Sequence, residues 1–204
     1  GQAEAEQPER KLGRAEIEGL KQRAMSLEHL LTHEPKNPYC SACQRAKMQT
    51  APSPNRSKRP SDGPPPPEKF GEQVTGDHFT CAGEIYQGID GSKAGVVLFD
   101  RGSKWLDVFP VSGKHADQAF FAMRAFEGTP GQVELFYSDN SPELKKVGKM
   151  AKWSLDGAVT GQPATNGVAE NKVKKVLNGT RASLMQAGLP EGWWPWASKH
   201  FCVA

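Results

Sequence analysis

The sequence predicts an α/β domain built on a mixed β-sheet, and three observations carry that expectation. Short β-prone apolar runs fall at 73–80, 95–100, 105–111 and 133–138, each bounded by turn formers. Helical periodicity falls at 115–126, between the third and fourth of these runs, and returns at 142–153, at 168–187 and from 193 onward. Three strands, a helix, a fourth strand and further helices imply one sheet with helical layers against it.

Composition bounds the rest. The 204 residues allow one core of ordinary size plus appendages, and the 16 prolines crowd into the first third. Formal charge is only +3, so a polyanionic partner would have to be met by a local basic patch. No run is long and apolar enough to span a membrane, and no signal peptide is visible. Of Cys40, Cys43, Cys81 and Cys202, only the first two form a local pair. That pattern favours metal binding in a reducing compartment over a disulfide framework. The chain starts at Gly1 and stops inside a helical pattern, which reads as a piece of a larger polypeptide.

In chain order, residues 1–11 are polar and charged and are expected to be disordered. Ile17, Leu20, Ala24, Leu27 and Leu31 then step by threes and fours, predicting one helix over 12–33 with a single apolar seam, ended by Pro35. At its end stand His29 and His33, four apart, with the C-x-x-C of Cys40 and Cys43 beyond them. Two imidazoles from one helical face and two thiolates from a knuckle can hold one tetrahedral zinc, so 12–49 reads as a small zinc-binding module. Residues 50–69 contain seven prolines and no large apolar side chain. They read as a linker with a polyproline stretch and carry no group to couple the module to the rest of the chain. The globular part begins near Phe70 and runs to the end, with Val173, Val176, Leu177 and Leu184 as the core face of the long helix. Trp193, Trp194 and Trp196 read as anchors for helix packing.

Three acids occupy distinct positions: Asp77 on the first strand, Asp139 at the end of the fourth, and Glu170 in the first turn of the long helix. A carboxylate at the end of a buried strand is costly unless paired, and a divalent metal is a common partner. The sequence also allows Asp139 to be a cap for the helix after Pro142, Asp77 a hydrogen-bond acceptor and Glu170 a solvated residue. Asp100, Asp107, Glu143 and Asp156 compete, but none completes a set drawn from three segments. Lys174, Lys175 and Arg181 come after Glu170 on the long helix and could bind phosphates; an i,i+4 pair of Glu170 with Lys174 is the other reading.

The order H-x3-H, C-x-x-C, D, D-N and N-G-x-A-E resembles the integrases of retroelements, nearest those of long-terminal-repeat retrotransposons, from about His29 to the C-terminus. The resemblance implies an RNase H-like core over 70–204, lacking the family's C-terminal region, behind the zinc module of His29, His33, Cys40 and Cys43. It implies a D,D,E triad at Asp77, Asp139 and Glu170 holding two Mg²⁺ or Mn²⁺. The implied activity is that of a polynucleotidyl transferase with nuclease activity. Water trims a donor DNA end, and the freed 3′-hydroxyl attacks target DNA. Further expectations are double-stranded donor and target DNA, a homo-oligomer assembled on them and, for a eukaryotic element, a nuclear location. The interval from Asp139 to Glu170 is shorter than the family's, and that from His33 to Cys40 is compact. A catalytically decayed fragment that binds nucleic acid or protein through its zinc module is the alternative.

Overall fold

The computed structural model describes residues 13–46, 66–138, 141–157 and 167–204. The polar segment 1–11 and most of the proline-rich stretch 50–69 lie outside them. The N-terminal part forms two helices where the apolar seam predicts one: α1, Arg14–Ala24, and α2, Leu27–Thr32. The break falls at Ser26, whose backbone is extended and whose hydroxyl accepts from the His29 N–H at 3.3 Å. Serine competes with a helix for backbone hydrogen bonds and is better placed as a cap, so the local preference overrides the seam. Leu27 is consequently turned outward, 73% exposed, while Ala24 is buried. A third short helix, α3, Ser41–Ala46, comes directly after Cys40.

Five strands form a single sheet in the order β3-β2-β1-β4-β5. They are β1, Val74–Thr80; β2, Ala94–Asp100; β3, Leu106–Val111; β4, Leu135–Ser138; and β5, Ser154–Gly157. β1 pairs antiparallel with β2 and parallel with β4, so the sheet is mixed, as the element order predicts. The fifth strand is an addition: Ser154-Leu155-Asp156-Gly157 has no apolar run, and it becomes a strand by pairing along β4.

Helices α4, Ala116–Glu127, and α5, Pro142–Ala151, cover one face of the sheet. The other face is covered by α6, Gly167–Ala187, and α7, Trp194–Val203. β2 is buried along its whole length because both its faces are covered, which is why its sequence runs apolar without alternation. Val96 and Leu98 point toward α4 and α5, where they join Met123, Phe136 and Leu144. Val97, on the opposite face, packs with Val108 and with Val176 of α6. Each side chain fully buried in this way contributes about 1.5–3 kcal/mol.

Two buried acids hold connections in place. Asp100 accepts from the Gly71 N–H at 3.0 Å and from the backbone and hydroxyl of Ser103 at 2.6 and 2.7 Å. Glu127, 2% exposed at the end of α4, accepts from Arg124 and from the N–H groups of Gly131 and Val133. Burial pushes the Glu127 carboxyl up, but the Arg124 guanidinium and the Gly131 N–H outweigh it and hold the group below the usual carboxylate range.

Because the folded state binds the Glu127 proton less tightly than the unfolded chain, its contribution to stability is present above the unfolded carboxylate pKa. It is lost as pH falls through the lower, folded value. Glu127→Gln is expected to lower the urea midpoint at neutral pH and to flatten the acid limb of stability against pH; equal acid limbs in both proteins would contradict this. Gly179 gives a second test. A Cβ there would run into the buried ring of Phe201. Gly179→Ala should therefore cost about 1–3 kcal/mol by overpacking, against a helix-propensity gain of about 1 kcal/mol. In a Phe201→Ala background the sign should reverse, and urea titrations of the four proteins measure the coupling.

Candidate metal centre and catalytic face

His29 lies in α2 and His33 closes that helix as a left-handed cap, φ 53°. The chain then turns through Asn37, a buried amide with two structural bonds. Its Nδ2 donates to the Leu20 carbonyl at 2.8 Å, and its Oδ1 accepts from the Tyr39 N–H at 2.9 Å. This Asx turn between two prolines brings Cys40 and Cys43 back against the histidines. Cys40 Sγ lies 3.5 Å from His33 Nδ1, and Cys43 Sγ lies 3.5 Å from His29 Nε2 and 3.8 Å from His33 Nδ1. All four residues are buried, and one ligand atom from each falls within 4.8 Å of every other.

These separations test the fit to a metal. Tetrahedral zinc with Zn–S near 2.3 Å and Zn–N near 2.0–2.1 Å has N···S edges of about 3.5–3.6 Å. The Cys40–His33 and Cys43–His29 distances, both 3.5 Å, match those edges, and the Cys43–His33 distance of 3.8 Å is slightly longer. Two soft thiolates with two imidazoles are also the donor set that zinc prefers. The His and Cys positions that the spacing points to therefore come together as a group that could hold zinc, and they are the group so placed among the described residues.

The module does not stand apart from the core. α2 and α3 pack against α6, and Glu34, just beyond His33, forms an ion pair with Lys175 at 2.7 Å. The coupling that the linker composition cannot supply comes from the module itself. The sequence gives no sign of this role for Glu34, since a single acid beside a proline carries no mark of its partner.

Two of the three catalytic candidates lie on described elements. Asp77 is half-buried on β1, opposite Val97 of β2, and its Oδ1 accepts from the His78 N–H at 2.7 Å. The preceding residue, Gly76, pairs with Ser138 at the end of β4. A side chain at Gly76 would meet Leu98 at 2.6 Å, so a glycine here lets β1 sit close under its neighbours. Asp139 and its neighbour Asn140 lie outside the described residues, as does Asn166 before the long helix. Glu170 is exposed in the first turn of α6, the helix that packs on β1 and β2. Two competing acids have other employment: Asp100 is buried in the turn described above, and Asp107 is paired with Lys199 at 2.7 Å.

The four cations of α6 diverge. Lys174 is exposed. Lys175 turns to Glu34, with its ammonium 6.0 Å from the Phe201 ring. Arg181 is exposed at the rim of a cleft of about 350 Å³ lined by Phe79, Cys81, Tyr86 and Trp194. Lys172, which no sequence motif marks, lies 3.8 Å over the Phe99 ring. Burial pushes its ammonium below the ordinary lysine range, and the neighbouring charge of Lys175 adds to that. The tryptophans divide as well: Trp194 is buried against Phe79, whereas Trp193 and Trp196 lie tilted against each other, ring centres 5.4 Å apart, 37% and 49% exposed.

Cys43 touches both histidines, so Cys43→Ser removes the ligand on which the group converges. The intact chain is expected to take up about one equivalent of zinc or, in its place, Co²⁺ with the absorption of a tetrahedral S₂N₂ site. Cys43→Ser should lose that spectrum and loosen residues near 29–46, read as faster amide exchange there. Uptake of metal by the variant equal to that of the parent would contradict the assignment.

No protein-family model matches the chain, and no curated protein matches it. Solved structures do. One chain of the cryoEM structure of the simian T-cell lymphotropic virus intasome in complex with PP2A regulatory subunit B56 gamma matches with a TM-score of 0.50 and 12% identity. The match covers 66% of this chain, which spans about half, 51%, of the length of that one. The catalytic core domain of BIV integrase matches with a TM-score of 0.45 and 13% identity, over 63% of this chain and 80% of that chain. At 12% identity the likeness to the intasome chain is one of fold alone, and the fold here is a mixed five-stranded sheet flanked by helices.

Proposed function

We propose that this chain is a retrotransposon-type integrase, a metal-dependent polynucleotidyl transferase that processes donor DNA 3′ ends and joins them to target DNA. The observation that carries the reading is the parallel pairing of β1 with β4. It sets the strand of Asp77 beside the strand that leads directly into Asp139, and the helix whose first turn bears Glu170 packs on β1 and β2. The likeness of the fold to a chain of a retroviral intasome supports it.

In this reading Asp77, Asp139 and Glu170 hold two Mg²⁺ or Mn²⁺. Three carboxylates are the hard oxygen donors those ions take. Two such ions would supply activation of the attacking oxygen and stabilisation of the leaving oxygen of a phosphodiester. The chain's own residues do the positioning. Gly76 keeps β1 close to its neighbours, and the packing of α6 on β1 and β2 settles where Glu170 stands. The α6 cations that would meet donor phosphates beside the triad are Lys174, Lys175 and Arg181, with Lys175 also paired to Glu34. His29, His33, Cys40 and Cys43 hold a structural zinc. Partners are double-stranded donor and target DNA, with a homo-oligomer forming on them and a nuclear site of action for a eukaryotic element. Among the described residues no helix is long and apolar enough to cross a membrane.

The test is strand transfer on oligonucleotide duplexes with Mg²⁺ or Mn²⁺. The parent should join ends, and Asp77→Asn or Asp139→Asn should each fall to background. Stability without divalent metal should be unchanged or higher in both variants, because repulsion among the carboxylates is relieved. An active parent whose Asp139→Asn variant keeps full activity would show the site to be elsewhere. A parent with no metal-dependent activity would leave a binding module with a decayed core.

A further inference from the structure

The cleft of about 350 Å³ that opens where β1 ends is shared with α6 and the start of α7, and its lining is mainly apolar. Phe79 and Trp194 meet edge to face there, ring centres 5.3 Å apart, and Leu177 and Leu184 come in from α6. Tyr86, 43% exposed, adds a third ring and belongs to none of the apolar clusters. The Thr180 hydroxyl is spent on the Val176 carbonyl at 2.7 Å. The charged residues of the lining, Arg181 and Glu191, are exposed and opposite in sign, and among the described residues no ion pair joins them. The backbone fixes the shape. The Ile89 N–H donates to the Gly192 carbonyl at 3.0 Å, tying the connection that carries Tyr86 to the turn that carries Glu191. A Cβ on Gly192 would stand 2.9 Å from Ile89, so the glycine permits this approach.

These features narrow the occupant. A cleft of this volume takes about two or three side chains, and a helix about 10–12 Å across is too wide to sink into it. A polyanion is disfavoured, because Glu191 stands with Arg181 and the field has no single sign. Aromatic rings lining a groove are the surface that polyproline II segments dock on. That conformation is ordered before it binds, so little entropy is lost, and its carbonyls have no internal hydrogen bonds. Two donors here suit such carbonyls. The Arg181 guanidinium has donors only, and the buried Trp194 indole N–H has no protein partner among the described residues. Glu191 suits an arginine or lysine beside the prolines. We propose that this cleft docks a proline-rich segment of a partner protein, with Tyr86 and the Phe79–Trp194 pair against proline rings and Glu191 against a flanking basic residue. The site stands on the cleft alone and does not depend on the proposed function.

The experiment titrates the full chain into a fluorescein-labelled peptide of two arginines followed by six prolines, with binding read as fluorescence anisotropy. One comparison peptide carries aspartates in place of the arginines, and a second carries glycines in place of the prolines. The first peptide should bind saturably and each of the others about tenfold more weakly or worse. Tyr86→Ala removes an exposed ring and should weaken binding about tenfold. Glu191→Gln should weaken it about threefold and narrow the advantage over the aspartate peptide. Both side chains are exposed, so both variants keep the fold. Phe121→Ala removes an exposed ring from α4, on the other face of the sheet, and should bind as the parent does. Equal binding of the proline and glycine peptides overturns the proposal, as does preference for the aspartate peptide. Parent affinity in Tyr86→Ala, or an equal loss in Phe121→Ala, overturns it too. Sedimentation showing a dimer that Tyr86→Ala breaks would give the cleft to a second copy of the chain instead.

Discussion

Helix α6 lies across the sheet, and nearly everything else in the molecule is placed by where it lies. Val176 seats it on Val97 and Val108. At Gly179 the absence of a side chain lets the ring of Phe201 come within the space a Cβ would occupy, so α7 packs closer than ordinary helix surfaces allow. Its other side receives α2 and α3, with Lys175 paired to Glu34. The same helix therefore touches the sheet, the C-terminal helix and the His/Cys module, and the candidate acid Glu170 stands at its beginning. Anything that shifts α6 moves the acid relative to β1.

That arrangement gives the His/Cys group a structural meaning beyond its own segment. The module has a very small apolar cluster, Ala24, Cys40, Ala42 and Cys43, far short of what an independent unit needs. Its shape comes instead from four converging ligand residues, the Asn37 turn and the surface of α6. A bound metal would draw much of its free energy from, and return it to, the folding of this segment. The ion pair to Lys175 is half-exposed and by itself is worth little; the packing beside it carries the contact.

The acids sort by environment. Asp100 and Glu127 are buried and fully engaged with N–H groups, a hydroxyl and a guanidinium, so they serve the turns around them. Asp107 is tied to Lys199, which also lies 3.9 Å over the Phe109 ring. Asp77, half-buried, and Glu170, exposed, stand where the sheet and α6 come together. Segment order alone separates these two from the other acids, and the tertiary contacts supply a reason for Asp100 and Asp107: their carboxylates are committed to a turn and to an ion pair.

By itself the sequence determined the elements whose signals are local. β2 and β3 appear as dense apolar runs, α4 and α6 as long periodic stretches, and the metal ligands as spacings of four and three residues whose geometry is set within a turn or two of chain. Other features needed partners far away in sequence. β5 has one apolar side chain, Leu155, and exists because β4 offers it an edge. The seam over 12–33 is interrupted because the Ser26 cap and the approach of His29 and His33 to the two cysteines outweigh continuous periodicity. Trp193 and Trp196 lie outside the core because Trp194 alone meets Phe79. Lys175 meets Glu34 by the same cause: charge is written in the sequence, but the opposing charge is chosen by packing between segments that no local pattern joins.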